Sequence, residues 1–512
     1  MQLFHQVIAS NAYKYSAKPA IILDGQVTSY QKLQKRADEI ASVLPIFGIV
    51  PGDRVGLYAP ISIDLIASYL GLLQAGVITA ATHHTLGRIK LIHQLKHSGA
   101  RVLITNCTED LPGLIVEAGL ELVLVTVPLR MKIPRVIELA DAVAGQCDKK
   151  TFASVQTDDS DRPTSIFYTS GSTFSPKGVL VNHRIMLAAC SRVTAYLRNT
   201  PDDRILSYST LASDYAVYNV LMPLYAGATS VVESRPPTSA EDVLSVVERE
   251  AVTSMHVFPP VVFLLANTGP KWQARVPSLR YISSSGQALH SRHIQRIRQA
   301  LPQVQIFSNY GLTECKRVSY LSPEEIDLRP TSVGKPLPGV SLYLVDEQGL
   351  VIDQPGQIGE LLVTSDYLML EYWNMPEANA KAFIHNSFGH SRLYRTGDLF
   401  KQDAEGYLYY VARKDDVFAR DIWNVNPREI EQCLASHPAV AEVLVVPVAD
   451  ESAGHVPKAC IVLDINHRQT NGETLIDYCK EHLDWHMVPT QCVFFETLPK
   501  TDSGKLTAKG MI

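Results

Sequence analysis

Short apolar runs alternate with longer amphipathic segments through about the first 400 residues of the chain. The apolar runs predict strands at Val55–Tyr58, Val102–Thr105, Leu122–Val125, Ser165–Tyr168, Ser230–Glu233, Ser254–Phe258 and Tyr281–Ser284. The amphipathic segments predict helices between them, among them Ser29–Leu44, Ala240–Glu250 and Ser291–Leu301. Strands that alternate with helices in this way favour an α/β fold of mainly parallel sheets, covered by helices on both faces.

The pattern changes after Tyr394. Gly406–Arg413 predicts an antiparallel hairpin arm, and a charged run, residues 413–416, follows it. Beyond this run the pattern predicts a helix, two strands and a second helix, at Pro427–Ser436, Val443–Val446, Lys458–Leu463 and Glu473–His482. These elements make an α+β unit of about one hundred residues, which is within the usual size of a domain. We therefore predict a large domain, residues 1–412, followed by a small mobile domain, residues 413–512.

Length and composition narrow the class of protein. At 512 residues the chain is too long for one compact core and suits two or more domains. The formal net charge of −5 gives no electrostatic reason to expect nucleic acid or an anionic membrane as a partner. The most apolar stretch, Leu65–Ala81, is interrupted by polar residues, so it predicts a buried helix and a strand rather than a membrane span. The eight cysteines are scattered and the N-terminus lacks a secretory signal, which together predict reduced thiols and a cytoplasmic protein.

A loop rich in serine, threonine and glycine, residues 168–178, carries the first candidate chemistry. It follows an apolar strand and precedes a helical segment that begins near His183. Such a loop lets backbone amides and hydroxyls converge on phosphate oxygens, and Lys177 adds positive charge. Its spacing does not fit the Walker pattern. By itself the loop is compatible with phosphate binding or with a flexible turn.

Three more motifs follow in order, at Ser308–Glu314, Tyr394–Leu399 and Leu498–Leu506. In this order and at these separations, the four motifs resemble the superfamily of acyl-CoA synthetases, adenylation domains of nonribosomal peptide synthesis, and beetle luciferases. The resemblance runs through essentially the whole chain and is strongest to a stand-alone amino-acid adenylation enzyme. It implies a large domain with a small barrel-like subdomain, and a small mobile α+β domain after it.

The resemblance implies ATP and Mg²⁺ as cofactors and gives each matched position a role. The loop from Thr169 to Lys177 would order the β- and γ-phosphates of ATP, and Tyr310 would stack on adenine. Asp398 would accept hydrogen bonds from both ribose hydroxyls. The positions implied to bind the nucleotide are Thr169, Ser170, Gly171, Ser172, Thr173, Asn309, Tyr310, Gly311, Asp398, Tyr410 and Arg413.

Catalysis is implied for Lys177, Thr313, Glu314 and Lys505. Thr313 would bond the α-phosphate, Glu314 would hold Mg²⁺, and Lys505 would bridge the substrate carboxylate and AMP. A carboxylate that attacks the α-phosphorus needs no general base, but it needs positive charge to offset the repulsion between two anions. Mg²⁺, Lys177 and Lys505 would supply that charge. The small domain would then rotate about a hinge at Asp415 to present a thiol acceptor.

The acid is expected to be a small or polar amino acid, α or β. Asp214 matches the position where amino-acid-activating members bind the substrate ammonium, and a desolvated ammonium needs a charged partner. Alternatively, Asp214 caps the helix that follows it. Arg317 is compatible with an anionic side chain on the substrate, or with a side chain that points to solvent. The remaining positions of the implied pocket are Tyr215, Tyr218, Val257, Ser283, Ser285, Asn309 and Val318.

Several positions depart from the family pattern. Phe174 and Asp421 stand where the family usually has glycine, in the phosphate loop and near the incoming pantetheine arm, so transfer to a thiol is less secure than adenylation. The chain ends shortly after Lys505, so the expected acceptor is a separate carrier protein or free CoA, and Asp214 favours the carrier protein. Two alternatives remain: a short-chain or aryl acyl-CoA ligase, and a catalytically silent nucleotide-binding protein.

Overall fold

The computed structural model describes the chain apart from residues 1, 146–158, 170–175, 267–271, 287, 288, 290, 421, 422, 451, 501–505, 509, 510 and 512. The chain folds into two compact units. The first unit comprises residues 1–331, 336–340 and 364–384, and the second comprises residues 332–335, 341–363 and 385–512. The domain boundary after residue 412 stays a prediction.

The described strands are, in chain order, β1 Pro19–Leu23, β2 Gln26–Ser29, β3 Arg54–Tyr58, β4 Ile78–Ala81, β5 Val102–Thr105, β6 Leu122–Val125, β7 Val136–Glu138, β8 Pro163–Tyr168, β9 Gly178–Asn182, β10 Arg204–Ser207, β11 Thr229–Val232, β12 Ser254–Val257, β13 Tyr281–Ser285, β14 Gln305–Leu312, β15 Lys316–Leu321, β16 Lys335–Pro336, β17 Val340–Val345, β18 Ile358–Ser365, β19 Glu371–Tyr372, β20 Phe383–Ser387, β21 His390–Gln402, β22 Leu408–Arg413, β23 Phe418–Arg420, β24 Trp423–Val425, β25 Val440–Asp450, β26 Gly454–Leu463 and β27 Gln491–Phe494.

The described α-helices are α1 Phe4–Lys14, α2 Tyr30–Val43, α3 Ile63–Gln74, α4 Arg88–Ser98, α5 Leu111–Ala118, α6 Leu139–Ala144, α7 His183–Leu197, α8 Asp214–Tyr225, α9 Ala240–Arg249, α10 Pro259–Leu265, α11 Ser291–Ala300, α12 Pro376–Ala382, α13 Pro427–Ser436 and α14 Gly472–His482. Within the described ranges, every helix is too short or too polar to cross a membrane.

The first unit is built on two large sheets. One has nine strands in the order β16-β15-β14-β13-β12-β10-β11-β1-β2, and the other has eight in the order β19-β9-β8-β4-β3-β5-β6-β7. Their central pairs are parallel, such as β12 with β13 and β3 with β5, and all four residues of β5 are buried. Strands buried on both faces are typical of parallel sheets that helices cover. The predicted α/β class is confirmed.

Two five-stranded sheets make up the second unit. The first has the order β17-β18-β21-β20 with β22 on β21, and β21 is antiparallel to both β18 and β22. The second has the order β24-β23-β26-β25 with β27 on β26. Its core joins the sheet to α13 and α14 through buried residues such as Ile430, Leu434, Ile461 and Leu475. The first sheet corresponds to the predicted barrel-like subdomain, and the second sheet corresponds to the predicted α+β domain.

The structure extends one strand beyond its predicted end. The apolar pattern predicts a short strand, Gln305–Phe307, that ends before the motif Ser308–Glu314, whereas β14 continues to Leu312. It continues because β15 returns beside it as an antiparallel partner, with Tyr310 opposite Ser319 and Gly311 opposite Arg317. Backbone pairing of this kind needs no apolar side chains, so the sequence pattern did not reveal it.

Candidate active site

The predicted phosphate loop connects two antiparallel strands, β8 and β9, of the eight-stranded sheet. Its ends are joined by a hydrogen bond of 3.0 Å, in which the backbone N–H of Thr169 donates to the carbonyl of Lys177. Ser170, Gly171, Ser172 and Thr173 lie outside the described residues, as does Phe174, so their contacts with phosphate stay predictions. Lys177 is therefore the residue immediately before β9.

Tyr372 brings together the two charged groups that were predicted to act on the phosphates. The Lys177 ammonium lies 4.8 Å from the centre of the Tyr372 ring. The Tyr372 hydroxyl donates a hydrogen bond of 2.7 Å to Oε1 of Glu314. β19 carries Tyr372 and pairs with β9, which holds this buried side chain in place. The sequence offered no sign of this role, since Tyr372 and Glu314 are 58 residues apart.

The Glu314 carboxylate suits a magnesium ion that accompanies a triphosphate. Glu314 is buried, and its own carbonyl accepts a hydrogen bond of 2.7 Å from the backbone N–H of Met369. Within the described part of the chain, Oε1 is held by Tyr372 and no hydrogen bond reaches Oε2. Mg²⁺ prefers oxygen ligands and commonly binds to one or two carboxylates together with phosphate oxygens. Glu314 would hold the ion, which would offset the charge of the phosphates, and Lys177 would add a second positive charge.

Gly311 allows β14 and β15 to approach each other closely before the turn that carries Thr313 and Glu314. A Cβ atom at this position would lie 1.9 Å from the backbone oxygen of Lys316, well inside contact distance. Lys316 itself has a φ of 55°, which is in the left-handed region. Because backbone, and not a flexible side chain, fills the space, a larger residue would have to push the strands apart.

We expect Gly311→Ala to destabilise the protein by about 1–3 kcal/mol, in the range of overpacking substitutions. Displacement of the turn should also lower the rate of adenylation, because Thr313 and Glu314 follow it directly. Urea unfolding and ATP–pyrophosphate exchange measure the two effects. Gly87→Ala is the control, because a Cβ at Gly87 would meet no atom within 4 Å. Equal stability and equal exchange rates for both variants would contradict this account of Gly311.

Asp214 has a partner that the sequence did not reveal. The Lys316 ammonium lies 2.5 Å from Oδ1 of Asp214 and also donates a hydrogen bond of 2.9 Å to the carbonyl of Thr313. Asp214 and Lys316 are 7% and 8% exposed, respectively. Burial raises the pKa of the Asp214 carboxyl, and the charge of Lys316 acts in the opposite direction. The side chain that caps α8 is Ser213, which accepts a hydrogen bond from the Ala216 N–H.

Residues predicted to form the substrate pocket lie together in the first unit. Tyr215 donates a hydrogen bond of 3.4 Å to the Val257 carbonyl, and the Asn309 amide donates one of 3.0 Å to the Ser283 hydroxyl. Tyr196, which sequence reasoning missed, donates to the Asn309 side-chain oxygen at 3.0 Å. The remaining predicted positions are Tyr218, Ser285 and Val318. The Tyr218 ring lies 5.5 Å from the Lys316 ammonium, and Ser285 pairs with Asn309 between β13 and β14. Val318 is buried in β15.

Arg317 is buried rather than turned to solvent. It is 9% exposed, and its carbonyl accepts a hydrogen bond of 2.8 Å from the Tyr367 hydroxyl. Tyr310 is also buried in the neighbouring strand β14. The alternative in which Arg317 points away from the protein is therefore wrong.

In the second unit, the β21–β22 pair brings together the residues predicted to bind ribose. Arg413 donates a hydrogen bond of 2.8 Å to Oδ1 of the buried Asp398 and another of 2.7 Å to the Thr396 carbonyl. Tyr410 packs edge-on against Phe400, with ring centres 5.5 Å apart, and its burial raises the pKa of its hydroxyl. The two oxygens of a buried carboxylate can accept hydrogen bonds from two hydroxyl donors.

Three further predictions concern the remainder of the second unit. Asp415 lies exposed in a short 3-10 helix, Lys414–Asp416, and its role as a hinge stays a prediction. Lys505 and Asp421 lie outside the described residues. The catalytic role of Lys505 and the effect of Asp421 on thiol transfer therefore stay predictions as well.

Comparison with known proteins places these motifs in one family. Residues 8–373 match the model of the AMP-binding enzyme, and residues 429–505 match that of the AMP-binding enzyme C-terminal domain. The chain is 28% identical to the long-chain-fatty-acid–CoA ligase of Escherichia coli O157:H7, over 99% of this chain and 92% of that protein. It is 27% identical to part of the linear gramicidin synthase of Brevibacillus parabrevis, over 99% of this chain. The chain spans 6% to 19% of the length of the gramicidin and mycosubtilin synthase polypeptides that it matches.

Solved structures give the same relationship. The anthranilate CoA ligase AuaEII in complex with anthranoyl-AMP has a TM-score of 0.85 and 26% identity, and the alignment covers 99% of this chain and 95% of that one. O-succinylbenzoate coenzyme A synthetase from Bacillus subtilis, in complex with ATP and magnesium ion, has a TM-score of 0.82 and 25% identity, with 98% of each chain covered. The chain therefore belongs to the AMP-binding enzyme family, whose ATP-dependent, AMP-forming ligases activate carboxylic acids as acyl-adenylates.

Proposed function

We propose that this chain adenylates a small carboxylic acid with ATP and Mg²⁺, releases pyrophosphate, and passes the acyl group to a pantetheine thiol. The observation that carries the proposal is the connection of Lys177 and Glu314 through Tyr372 in one unit. A cation and a carboxylate fixed beside each other are what a triphosphate with its metal ion requires. A catalytically silent protein would have no need to keep both.

The residues can support this reaction without a general base. A carboxylate oxygen of the acid forms a bond to the α-phosphorus, and the bond from that phosphorus to the pyrophosphate oxygen breaks. Lys177 offsets negative charge, and Tyr372 fixes the Glu314 carboxylate so that it does not reorganise during the reaction. In the second step the thiol sulfur bonds to the acyl carbon, AMP leaves, and the thiol proton passes to solvent.

We propose that the acid has no ammonium group that binds to Asp214. That carboxylate already has a buried ammonium partner, Lys316, at 2.5 Å. A substrate ammonium would have to displace Lys316, which would leave the lysine charge buried without a partner. An amino acid, as predicted from the sequence, remains the second candidate, because the Asp214 carboxylate is buried beside Tyr218 in the predicted pocket.

We propose the acceptor as a chemical group, the pantetheine thiol. CoA and a carrier protein both end in the same pantetheine thiol, so the acid-activating site serves either of them. The Escherichia coli relative is named a CoA ligase, whereas the Brevibacillus relative is named a gramicidin synthase. Transfer of a radiolabelled acyl group to free CoA, or to a pantetheinylated carrier protein, distinguishes the two sources.

Pyrophosphate release in the presence of ATP, Mg²⁺ and hydroxylamine tests the proposal. The panel should contain pairs that differ by one amino group, such as propanoate with β-alanine and succinate with aspartate. We expect the acid without the amino group to react at least about tenfold faster, because the amino group must be desolvated without gaining a charge-assisted bond. Reaction of amino acids alone would favour the second candidate. Silence with every acid would contradict adenylation itself.

A further inference from the structure

Arg317 carries a buried positive charge that the protein does not balance. The residue is 9% exposed, and its Nη1 atom is buried without a hydrogen-bond partner. Within the described ranges, no carboxylate lies within ion-pair distance of the Arg317 guanidinium. A buried ion without a partner is costly, so native proteins pair such groups or keep them for a ligand.

Three side chains on which the charge of Arg317 acts, His256, Tyr196 and Tyr215, are neutral at pH 7. Burial, and after it the charge of Arg317, lowers the pKa of His256 to about 3, which leaves the imidazole uncharged. Burial raises the pKa of Tyr196 to about 12, and it also raises the pKa of Tyr215. The charge of Arg317 acts on the pKa of both tyrosines in the opposite direction.

Two buried carboxylates of the first unit are already paired with other cations. Asp214 is held by Lys316 at 2.5 Å, and Asp203 is held by Arg280 at 2.5 Å. The cluster of Lys316, Asp214 and Arg317 therefore keeps one net positive charge, and Arg317 carries it. That charge matches a group with a single negative charge, such as a carboxylate, better than it matches a dianionic phosphate.

Arg317 follows closely on the turn that carries Glu314, where the substrate carboxylate is expected to react. It lies on β15 opposite Gly311, three residues after Glu314 along the turn. Among the residues of the predicted acyl pocket, Tyr215 packs against Phe258 with ring centres 4.6 Å apart. These aromatic walls suit a short or flat carbon skeleton.

We propose that Arg317 binds a second carboxylate on the substrate, so that the acid activated here is a small dicarboxylic acid. This inference rests on the proposed function and names the substrate class of the same site. One carboxylate of the acid reacts near Glu314, and the other forms a charge-assisted hydrogen bond with the Nη1 group that lacks a protein partner. Arg317 then acts in specificity, since a monocarboxylic acid would leave its charge unbalanced.

Binding of stable acyl-adenylate analogues tests the proposal directly. The probes are 5′-O-sulfamoyladenosines acylated with succinate, glutarate or isophthalate, each compared with its monoamide, which has the same size and no charge. For at least one skeleton, we expect the free carboxylate to bind about 10- to 100-fold more tightly than the amide. Arg317→Met should abolish this preference. Arg192→Met is the control, because Arg192 pairs with Asp366 at the surface and should leave the preference intact.

A second measurement separates recognition from a structural role. Without ligand, Arg317→Met should unfold at a higher temperature than the natural protein, because the substitution removes a buried charge that has no partner. Equal affinity for acid and amide with every skeleton, or a preference that survives in Arg317→Met, would overturn the inference while leaving adenylation intact. Failure of all six compounds to bind would overturn the inference together with the proposed function. The comparison in the natural protein needs no variant, so it stands even if Arg317→Met does not fold.

Discussion

Lys316→Met is expected to destabilise the first unit by about 3–5 kcal/mol, as the loss of one partner of a buried ion pair does. The Lys316 ammonium lies 2.5 Å from Asp214, and both residues are almost fully buried. Methionine fills similar space but leaves the Asp214 carboxylate without a counter-ion, and it also removes the hydrogen bond to the Thr313 carbonyl. The shift of the urea unfolding transition measures the loss.

Two variants make this result specific. The double variant Asp214→Asn with Lys316→Met should recover most of the stability, because it removes both buried charges. Lys35→Met is the control, since the Lys35 side chain is 77% exposed and its ion pair with Glu39 spans 3.9 Å. An exposed pair of this kind contributes about 0–1 kcal/mol. A loss in Lys316→Met no larger than that in Lys35→Met would show that Asp214 is free, and it would restore the amino-acid candidate.

The sequence predicted the parallel sheets well because burial on both faces leaves a local signature. The strands Val102–Thr105 and Leu122–Val125 are continuous apolar runs, and the structure has strands with the same bounds. Helix Pro427–Ser436 also has its predicted bounds, since Asn426 caps it and proline stands at its first position. Patterns of this kind depend on neighbouring residues only, so they can be read without knowledge of the fold.

The partners of the charged groups could not be predicted in the same way. Lys316 and Asp214 are 102 residues apart, and Tyr372 reaches Glu314 only because β19 pairs with β9. Neither of these long-range contacts produces a periodic pattern in the sequence. The family resemblance supplied the catalytic positions, but it assigned Asp214 to a substrate ammonium without its lysine. Substrate class is therefore better argued from the charges that the fold leaves unbalanced than from single matched positions.

Glu314→Gln is expected to lower the rate of adenylation by about 10²–10³-fold, the range seen when one group that stabilises developing charge is lost. The substitution removes the negative charge that would hold Mg²⁺ but keeps the size of the side chain. The amide oxygen of glutamine can still accept the Tyr372 hydrogen bond, so the turn should keep its structure. ATP–pyrophosphate exchange measures the rate, and the Mg²⁺ concentration at half-maximal rate should rise in this variant.

Tyr372→Phe separates the charge of Glu314 from its placement. This variant keeps the aromatic ring beside Lys177 and removes only the hydroxyl that donates to Oε1 of Glu314. A hydrogen bond to a charged group contributes about 1.5–3 kcal/mol, so we expect a loss of about tenfold or more in rate. High Mg²⁺ should restore much of the activity, because the carboxylate is still present. If Glu314→Gln retained both the natural rate and the natural Mg²⁺ dependence, Glu314 would not hold the ion, and Tyr372 would serve packing alone.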